Sequence, residues 1–524
     1  MRQIRVLWHL MRADFLERVR RYSFLMTLAF AVYLGYAVSA GHLKLWIDDA
    51  RGIYNSAWVG VLMALVINTF LSLAGFYVVK GSVERDRRTG VGQILAATPL
   101  SKPLYALGKT ASNLAVLLAM VAVLCGMAFV AQLMAGEETR LEVWKLVAPI
   151  LVFSVPMMTL VAALAVLFEM IPGLRSGLGN VVWFFVWNGL MLVGIFTKGA
   201  VDPFGLGIIS RSLFKVVKAQ IGGTGTDFDF RLGAMISEES TRIFHFDGME
   251  WTSSILVSRL FWTLAAASLA LLAAVFFDRF DPSRVRVRAR KSKRAAPDAA
   301  MDALVPVREG APVIAAVHLQ PLPPTSRRYR FLPLLQAEMR LLLKRLHRGW
   351  YLVALGLVIA GIAAPLSAAR QVVLPLAWIW PVLLWSGLGI RESRHATTEL
   401  IFSAARPLHR QLPAVWLSGV LLAAIMGGII ALRLVLAGEW VGVGAWVVGA
   451  LFIPTFALAL GVWSGGSKLF EALYLLLWYI GPMNRMPALD YLGATGQGQP
   501  LVWLTATIVL GAAAVVGRKR QLQK

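Results

Sequence analysis

Residues 83–109 read VERDRRTGVGQILAATPLSKPLYALGK, a run of charge, glycine and proline between two long apolar stretches. A similar run, RESRHATTELIFSAARPLHRQLPA, occupies residues 391–414. Apolar stretches of about 20 residues are long enough to cross a bilayer as helices. Each charged run is too polar to enter lipid and too long for a tight turn between spans. The sequence therefore predicts a membrane protein with two surface segments between membrane-spanning helices.

The composition is typical of a multispan membrane protein. Of 524 residues, 58% are hydrophobic and 15% are charged, whereas soluble domains are about 45–50% apolar and about 25% charged. The single cysteine, Cys125, lies in an apolar run, so neither a disulfide framework nor a thiolate metal site is expected. The net charge of +24 indicates cytoplasmic loops that follow the positive-inside rule, and no nucleic-acid partner is expected.

Twelve apolar runs are candidate spans, six in each half of the chain. They cover residues 22–41, 57–80, 109–134, 146–168, 178–199, 252–277, 351–369, 372–390, 414–437, 442–463, 469–487 and 499–517. If the N-terminus is inside, the strongly basic loops at 81–108, 278–350 and 518–524 all fall on one side. The positive-inside rule then predicts that both termini are cytoplasmic, in a protein of the cell (inner) membrane.

Residues 1–21 predict an amphipathic helix on the cytoplasmic surface rather than a cleavable signal peptide. Apolar residues recur there at helical spacing among six arginines: Ile4, Trp8, Met11, Phe15 and Val19. A similar segment at 326–350 precedes the second set of spans. A basic, disordered N-terminus remains the alternative for the first segment.

The two halves of the chain repeat one another. A shift of 308 residues places Glu84 on Glu392 and Pro99 on Pro407. Farther on, three residues of the first half have counterparts in the second: Trp187, Asp202 and Gly205 correspond to Trp478, Asp490 and Gly493. We predict an all-α integral membrane protein with about 12 transmembrane helices, arranged as two parallel six-helix repeats. The predicted divisions are an amphipathic helix at 1–21, a permease-like half at 22–280, a basic linker at 281–325, an amphipathic helix at 326–350, a second half at 351–517 and a tail at 518–524.

The segment from Glu84 to Pro99 has the pattern of a short, capped surface helix with bends at Gly90 and Gly92. Spans fix both of its ends, so a push on it would be transmitted into the bundle. The segment is therefore suited to docking another protein. A lipid-surface helix that only connects two spans is the alternative.

These motifs resemble a known family. Glu84, TGVGQILAATP at 89–99 and LGK at 107–109, followed at once by a long apolar run, are similar to the hallmark of ABC-2 type permeases, the membrane subunits of ATP-binding-cassette exporters. FFDRFDPSR at 276–284 resembles the end of a permease half in that family. The resemblance covers the first half well and the second half more loosely.

The resemblance implies an exporter permease driven by separate ATP-binding subunits, two copies of which would carry the ATP and Mg. It also implies that segments 84–99 and 392–407 are the coupling elements that contact those subunits. Membrane lipids would be the other partner, through the basic linker. The candidate coupling residues are Glu84, Arg85, Arg87, Arg88, Thr89, Gln93, Thr98, Pro99, Glu392, Arg394, Thr397, Glu399 and Pro407. The family often carries an acid where the first half has Gln93, and Glu399 is out of register, so unequal coupling elements are expected.

The sequence carries no motif for catalysis by this chain. PLYALGKT at 103–110 ends in Gly-Lys-Thr but has Pro103 where a phosphate-binding loop needs its first glycine. GGTGT at 222–226 lacks a following lysine. The seven histidines show no zinc spacing, and there is no Gly-x-Ser-x-Gly motif. No enzyme activity, cofactor or metal is therefore expected in the chain; an intramembrane enzyme is a minor alternative.

Several polar residues lie in or near the predicted spans. Arg259, Arg433, Glu169 and Glu471 lie toward span ends, where snorkelling is the expected behaviour. Asn68, Asn113 and Asn188 are expected to form hydrogen bonds between helices, with a role in lining a pathway as the alternative.

The long outer loop at 200–250 contains SRSLFKVVKAQIG, which predicts a short helix. Four of its side chains could hold a cation or a partner, or simply form a solvated acidic loop: Asp227, Asp229, His245 and Asp247.

A secondary transporter of the major facilitator type is the alternative function. That class also has twelve spans, both termini inside and a basic loop between spans two and three. GSVERDRRTG at 81–90 resembles its Gly-x-x-x-Asp-Arg pattern. However, Asp86 comes one position late for that pattern, and the loop is long for that fold. The repeated Thr-to-Pro segment also has no role there.

Overall fold

The long apolar runs fold as helices in the computed structural model of the chain, because a helix pairs all of its own backbone polar groups. The structure describes residues 2–20, 22–47, 50–135, 137–138, 140–175, 177–197, 199–222, 230–233, 242–280, 330–344, 346–395, 397–404, 406–483, 485–496 and 498–523. Within these ranges most residues are helical. The linker predicted at 281–325 lies outside them.

The first half contains twelve helices within the described residues. They are α1 (Arg2–Val19), α2 (Tyr22–Ser39), α3 (Ser56–Val66), α4 (Ser72–Val79), α5 (Ser82–Arg88), α6 (Val91–Ala97), α7 (Lys102–Ala135), α8 (Val143–Pro149), α9 (Val155–Met170), α10 (Gly177–Phe196), α11 (Leu206–Gln220) and α12 (Ser253–Phe276). Short π-helical segments at Ile67–Leu71 and Ile150–Ser154 join α3 to α4 and α8 to α9. The runs predicted at 57–80 and 146–168 are therefore continuous helical rods.

The second half has a similar order in its described residues. Its helices are α13 (Phe331–Leu343), α14 (Arg348–Ala363), α15 (Leu366–Ala368), α16 (Leu374–Ile379), α17 (Val382–Trp385), α18 (Arg391–Arg394), α19 (Thr398–Phe402), α20 (Pro407–Leu436), α21 (Trp440–Ser464), α22 (Lys468–Trp478) and α23 (Pro500–Leu522). A π-helical segment, Ala369–Val373, joins α15 to α16, and another, Tyr479–Met483, follows α22.

Eight helices in the described part of the chain are long and apolar enough to cross a membrane. They are Ser56–Arg88, Lys102–Met134, Val143–Met170, Gly177–Gly194, Ser253–Phe276, Pro407–Leu436, Trp440–Ser464 and Pro500–Leu522. A ninth span is obtained if α13 and α14, which are bent by 106°, count as one. The chain is therefore a helical, membrane-embedded protein, as its composition predicts.

The remaining predicted spans are shorter or broken helices. The run at 22–41 folds as the 18-residue helix α2, in which Leu28–Ser39 is a continuous apolar segment. The run at 372–390 is interrupted at Pro381, between α16 and α17. The run at 469–487 leaves α-helical geometry after Trp478. Proline lacks a backbone N–H to continue the hydrogen-bond ladder, which explains the break at Pro381.

A small sheet departs from the all-α expectation. Its strands are β1 (Lys44–Ile47), β2 (Ala50–Gly52), β3 (Phe230–Gly233) and β4 (Arg242–Phe244), in the order β3-β1-β2-β4. β2 pairs with β4 in parallel, whereas β1 pairs with β2 and with β3 antiparallel. The sheet joins the loop after α2 to the long loop before α12. The helix predicted from SRSLFKVVKAQIG is confirmed as α11.

The polar residues of the spans are mostly paired inside the bundle. Asn113, on α7, reaches the Ala162 carbonyl of α9 at 3.4 Å, which confirms the interhelical role expected of it. Asn68 instead donates to the Phe204 carbonyl at 2.6 Å, in the loop before α11. Asn188 instead donates within its own helix, to Phe184 at 2.9 Å, because it lies on a partly exposed side of α10.

Snorkelling is the wrong description of three charged residues. Glu169, Glu471 and Arg259 are 2%, 1% and 3% exposed. Each has a partner within the bundle that compensates for its burial: Arg259, for example, donates to the carbonyl of Pro203 at 3.3 Å. Arg433 is partly buried and donates to the carbonyls of Gly361 and Ala364 at the end of α14, at 2.6 and 2.8 Å.

Candidate functional site

Two charged segments connect helices at one end of the bundle. We call residues 84–99 the first island and residues 392–407 the second island. The first contains α6 and most of α5, and the second contains α19 and most of α18. The predicted single surface helix is thus two helices, because Gly90 takes a left-handed conformation, with φ of +77°, between α5 and α6.

A buried carboxylate fixes the start of the first island. The Glu169 side chain, at the end of α9, accepts hydrogen bonds from four consecutive backbone N–H groups at the start of α5, those of residues 81–84. These donors have no partner within their own helix, and a negative charge is favoured at a helix N-terminus. The sequence shows Glu169 only as one acid closing an apolar run, so this role could not be predicted from it.

The amphipathic N-terminal helix α1 holds the first island from one side. Asp14, on α1, lies 3.4 Å from Arg85 and 3.0 Å from Lys109. It also accepts hydrogen bonds from Arg18 at 2.7 Å and from Ser112 at 2.5 Å. Burial opposes the ionisation of Asp14, but these cations outweigh it and hold its pKa well below the usual range. The N-terminal helix is therefore joined to the island by a buried ionic cluster.

The packing of α1 agrees only in part with its predicted apolar stripe. Phe15 and Val19 are partly buried and pack against the core, whereas Trp8 is exposed. The buried side also carries Asp14 and Arg18, because Lys109 and Ser112 of α7 are partners for Asp14, which in turn pairs with Arg18. A buried helix face that carries charged residues cannot be recognised from the hydrophobic pattern of the sequence.

A second buried acid fixes the middle of the first island. Asp86 accepts a hydrogen bond from the Tyr105 hydroxyl at 2.6 Å and lies 2.9 Å from the Lys109 ammonium. Both partners belong to α7, the long helix that follows the island. The motif LGK at 107–109 therefore ends in a lysine that contacts both Asp14 and Asp86.

Residues 276–280, the described part of FFDRFDPSR, pack against the first island. Asp278 accepts from Arg87 at 2.7 Å and from Arg175 at 3.1 Å. Burial opposes its ionisation, but the two arginines outweigh this effect and lower its pKa. The ring of Phe280 lies where a side chain at position 92 would be, 2.7 Å from an ideal Cβ, which explains Gly92. The end of the first half is thus part of the island's support.

The second island has corresponding contacts. Arg391 pairs with Glu338 of α13 at 2.8 Å, as Arg85 pairs with Asp14 of α1. Glu392 accepts from Gln411 at 3.0 Å, as Asp86 accepts from Tyr105. It also lies 3.4 Å from Arg518 near the end of α23.

These contacts define a register between the islands. Residues 391, 392 and 411 each lie 306 positions after their counterparts 85, 86 and 105. The contacts therefore match Glu392 with Asp86, and not with Glu84 as the shift of 308 residues suggests. In the register of 306, Gln93 falls on Glu399 and Ile94 falls on Leu400.

Most candidate coupling residues are accessible. Seven have exposed side chains: Glu84, Arg88, Thr89, Gln93, Pro99, Arg394 and Glu399. Five are partly buried: Arg85, Arg87, Thr98, Thr397 and Pro407. Glu392 is buried. The most exposed apolar side chain of each island was not among the candidates: Ile94 is 68% exposed and Leu400 is 75% exposed. Each island therefore presents a strongly exposed large apolar side chain among polar ones, and the first island also exposes Val91, at 42%.

The two halves meet along α10 and α22, the helices of the predicted fifth spans. The Phe184 ring of α10 lies 6.2 Å from Trp478 and 5.7 Å from Tyr479. Near the island end of the same helices, Asn180 donates a hydrogen bond to Glu471. We call this contact region the seam.

The described part of the loop at 200–250 contributes to a separate polar cluster. His245 lies 2.6 Å from Glu138 and 3.2 Å from Asp247, whereas Asp227 and Asp229 are outside the described residues. No group of three or more ligating side chains with the geometry of a metal site occurs in the described part of the chain.

Comparison of the chain with protein-family models, curated proteins and solved structures finds no match. The fold and its long apolar helices define a helical membrane-embedded protein.

Replacing Glu169 with glutamine should loosen the first island. The amide keeps the shape of the side chain but loses the charge that the four N–H groups share, and one charged hydrogen bond contributes about 1.5–3 kcal/mol. We expect faster hydrogen exchange at residues 81–91 and little change in α7. Glu439→Gln, at an exposed ion pair with Arg370, is the matched control and should leave the island unchanged. Equal exchange in both variants would contradict the capping role.

Proposed function

We propose that this chain is the transmembrane permease subunit of an ABC-2 type exporter. It carries a substrate across the cell membrane, powered by separate ATP-binding subunits that hold the ATP and Mg. The membrane unit consists of about 12 spans in two parallel six-helix repeats, with both termini cytoplasmic. The proposal rests first on the two islands.

The observation that carries the proposal is the shared construction of the islands. In each, an arginine pairs with an acid of the preceding amphipathic helix, and an adjacent acid is hydrogen-bonded to the long helix that follows. These contacts hold the backbone rigidly and leave Ile94 and Leu400 exposed. An exposed apolar side chain surrounded by polar ones is typical of a protein interface. A segment that only connects two spans has no need of such support.

These contacts also explain how a displacement of an island would be transmitted to the membrane-spanning helices. The first island contacts α1, α7, α9 and the residues after α12 through buried or half-buried charges. Packed interiors transmit displacement because they have few voids to absorb it. Two ATP-binding subunits that close on ATP would press on the islands and shift these helices. The halves would then part or close at the seam.

The basic loops and amphipathic helices support the proposed orientation. Arg88 and Arg394 lie on the islands, and Arg518, at the start of the basic tail, forms an ion pair with Glu392. Under the positive-inside rule the islands are cytoplasmic, where ATP is available. A facilitator has a short connection at this place, whereas the first island is two helices supported from four elements.

Purification in mild detergent tests the proposal, with the eluate assayed for ATP hydrolysis and the bound proteins identified by mass. We expect a subunit with a phosphate-binding loop, at two copies per chain. A chain that purifies alone, without ATPase activity, and moves solute along an ion gradient in liposomes would overturn the proposal in favour of a secondary transporter.

A further inference from the structure

One cluster at the seam is not explained by docking alone. The ammonium of Lys468, at the start of α22 in the second half, donates to the backbone carbonyl of Lys80 in the first half. Lys80 is the residue immediately before the turn at Gly81 that leads into α5. A side chain of the second half therefore contacts the base of the first island.

A second connection runs beside the first. The buried ammonium of Lys80 donates to the Asn180 side-chain oxygen at 2.7 Å. The amide nitrogen of Asn180 in turn donates to Glu471, one helical turn after Lys468 on α22. Four residues thus form a continuous polar chain across the seam: Lys80, Asn180, Lys468 and Glu471. We call it the cross-half tie.

The turn at Gly81 is shaped for this contact. Gly81 has a φ of +112°, a conformation that other residues rarely adopt. The ammonium of Lys468 lies 2.5 Å from the position of an ideal Cβ on Gly81, so any side chain there would displace it. The four N–H groups that follow are held by Glu169, so the tie acts on a rigid helix start.

Among the residues that the structure describes, no side chain of the first half makes an equivalent contact with the second island. The spacing of residues 177, 180 and 187 on α10 is the same as that of 468, 471 and 478 on α22. Trp187 and Trp478 occupy the last of these positions, and Asn180 and Glu471 the middle one. The position of Lys468 is held by Gly177, which has no side chain to reach the second island.

We propose that the cross-half tie makes the first island the one that controls the seam. A displacement of the first island enters α22 through Lys468 and α10 through Lys80, and therefore reaches both sides of the seam at once. A displacement of the second island stays in its own half. Lys468 and Glu471 are positioning residues in this scheme. The inference rests on the proposed function, which it deepens by assigning unequal roles to the two coupling elements.

Distances between spin labels on the chain alone, in lipid nanodiscs, test the tie. Cys125 is the only cysteine in the sequence, so Cys125→Ala provides the background. One label pair joins the first island to the opposite half, Arg88→Cys with Ser464→Cys, both at exposed positions. The control pair joins the second island to the loop before α10, Arg394→Cys with Gly173→Cys, also exposed.

We expect Lys468→Met to act on the first pair only. The population in which the first island has moved away from the opposite half, seen as longer distances between the labels, should rise by about 2- to 30-fold. The distance distribution of the control pair should not change. Glu471→Gln should act in the same direction, and it serves in place of Lys468→Met if that variant does not fold. Lys519→Met, at an exposed lysine, should change neither pair.

An unchanged first pair in both variants, or equal broadening of the two pairs, would overturn the tie. The measurement needs no ATP-binding subunit. A failure of the tie is therefore distinct from a failure of the proposed function, which the purification experiment decides.

Discussion

Replacing Asp14 with alanine should destabilise the chain by about 3–5 kcal/mol, because removing one partner of a buried ionic cluster leaves the others uncompensated. Arg18 is buried and would lose its ion-pair partner, and the buried Lys109 would keep only Asp86. The free energy of unfolding, from denaturation with SDS in mixed micelles, measures this loss. Glu17→Ala is the matched control, because Glu17 is on the same helix and pairs with Arg85 at the exposed rim of the cluster. It should cost about 1 kcal/mol or less.

The same cluster has a defined pH dependence. The pKa of Asp14 is lowered in the folded chain, so its stabilisation is complete above the ordinary aspartate pKa of about 3.9 and is lost as the pH falls below it. The difference in unfolding free energy between the wild type and Asp14→Ala should therefore be constant from about pH 8 to 5 and shrink below about pH 4. A difference that already declines between pH 7 and pH 5 would mean that the pKa of Asp14 is not lowered.

The sequence predicts those parts of the fold that depend on local pattern. Apolar runs of spanning length predict α7, α12, α20, α21 and α23, since in lipid a helix is the conformation that pairs every backbone group. The bend at Gly90 also follows from local chemistry. The limit appears where a run is apolar but interrupted, as at 372–390 and 469–487, because packing then decides whether the helix continues.

Contacts between distant residues could not be predicted. Glu169 caps a helix that begins 87 residues earlier in the chain, and β1 pairs with β3 across nine intervening α-helices, α3 to α11. The island register illustrates the difficulty. Identity of residue type favours a shift of 308, whereas the contacts give 306, because an aspartate and a glutamate perform the same role at positions 86 and 392. Only the pairing partners distinguish the two registers.

The candidate site was predicted in outline and missed in detail. Charge and glycine identified the islands, but charged residues there serve mainly as internal supports: Arg85, Arg87 and Glu392 all point to partners within the chain. The exposed side chains that are accessible to a partner include Ile94 and Leu400. The hydrophobic pattern of the sequence does not distinguish these two residues from buried apolar residues. Replacing a whole island with a flexible linker would therefore remove buried ion pairs as well as the docking surface, and single surface substitutions are the sharper test.

Aspartate at both Ile94 and Leu400 should abolish binding of the ATP-binding subunits while the membrane fold is retained. A large apolar side chain at the centre of an interface typically contributes about 2 kcal/mol, which is about a 30-fold loss of affinity for each substitution. Because both side chains project from the surface, the unfolding free energy should change by no more than about 0.5 kcal/mol. The copies of ATPase retained per chain and the ATP hydrolysis of the eluate measure the effect.

Val201→Asp is the matched control for this double substitution. Val201 is an exposed apolar residue just beyond the opposite end of α10 from the seam residue Asn180. The 20 residues of that helix separate the two ends by about 30 Å. This variant should keep full ATPase binding. If Ile94→Asp and Leu400→Asp together retain two ATPase copies per chain, the islands are not docking sites, and their shared construction serves the bundle alone. If Ile94→Asp alone removes most of the coupled ATP hydrolysis and Leu400→Asp removes little, the first island dominates, as the cross-half tie requires.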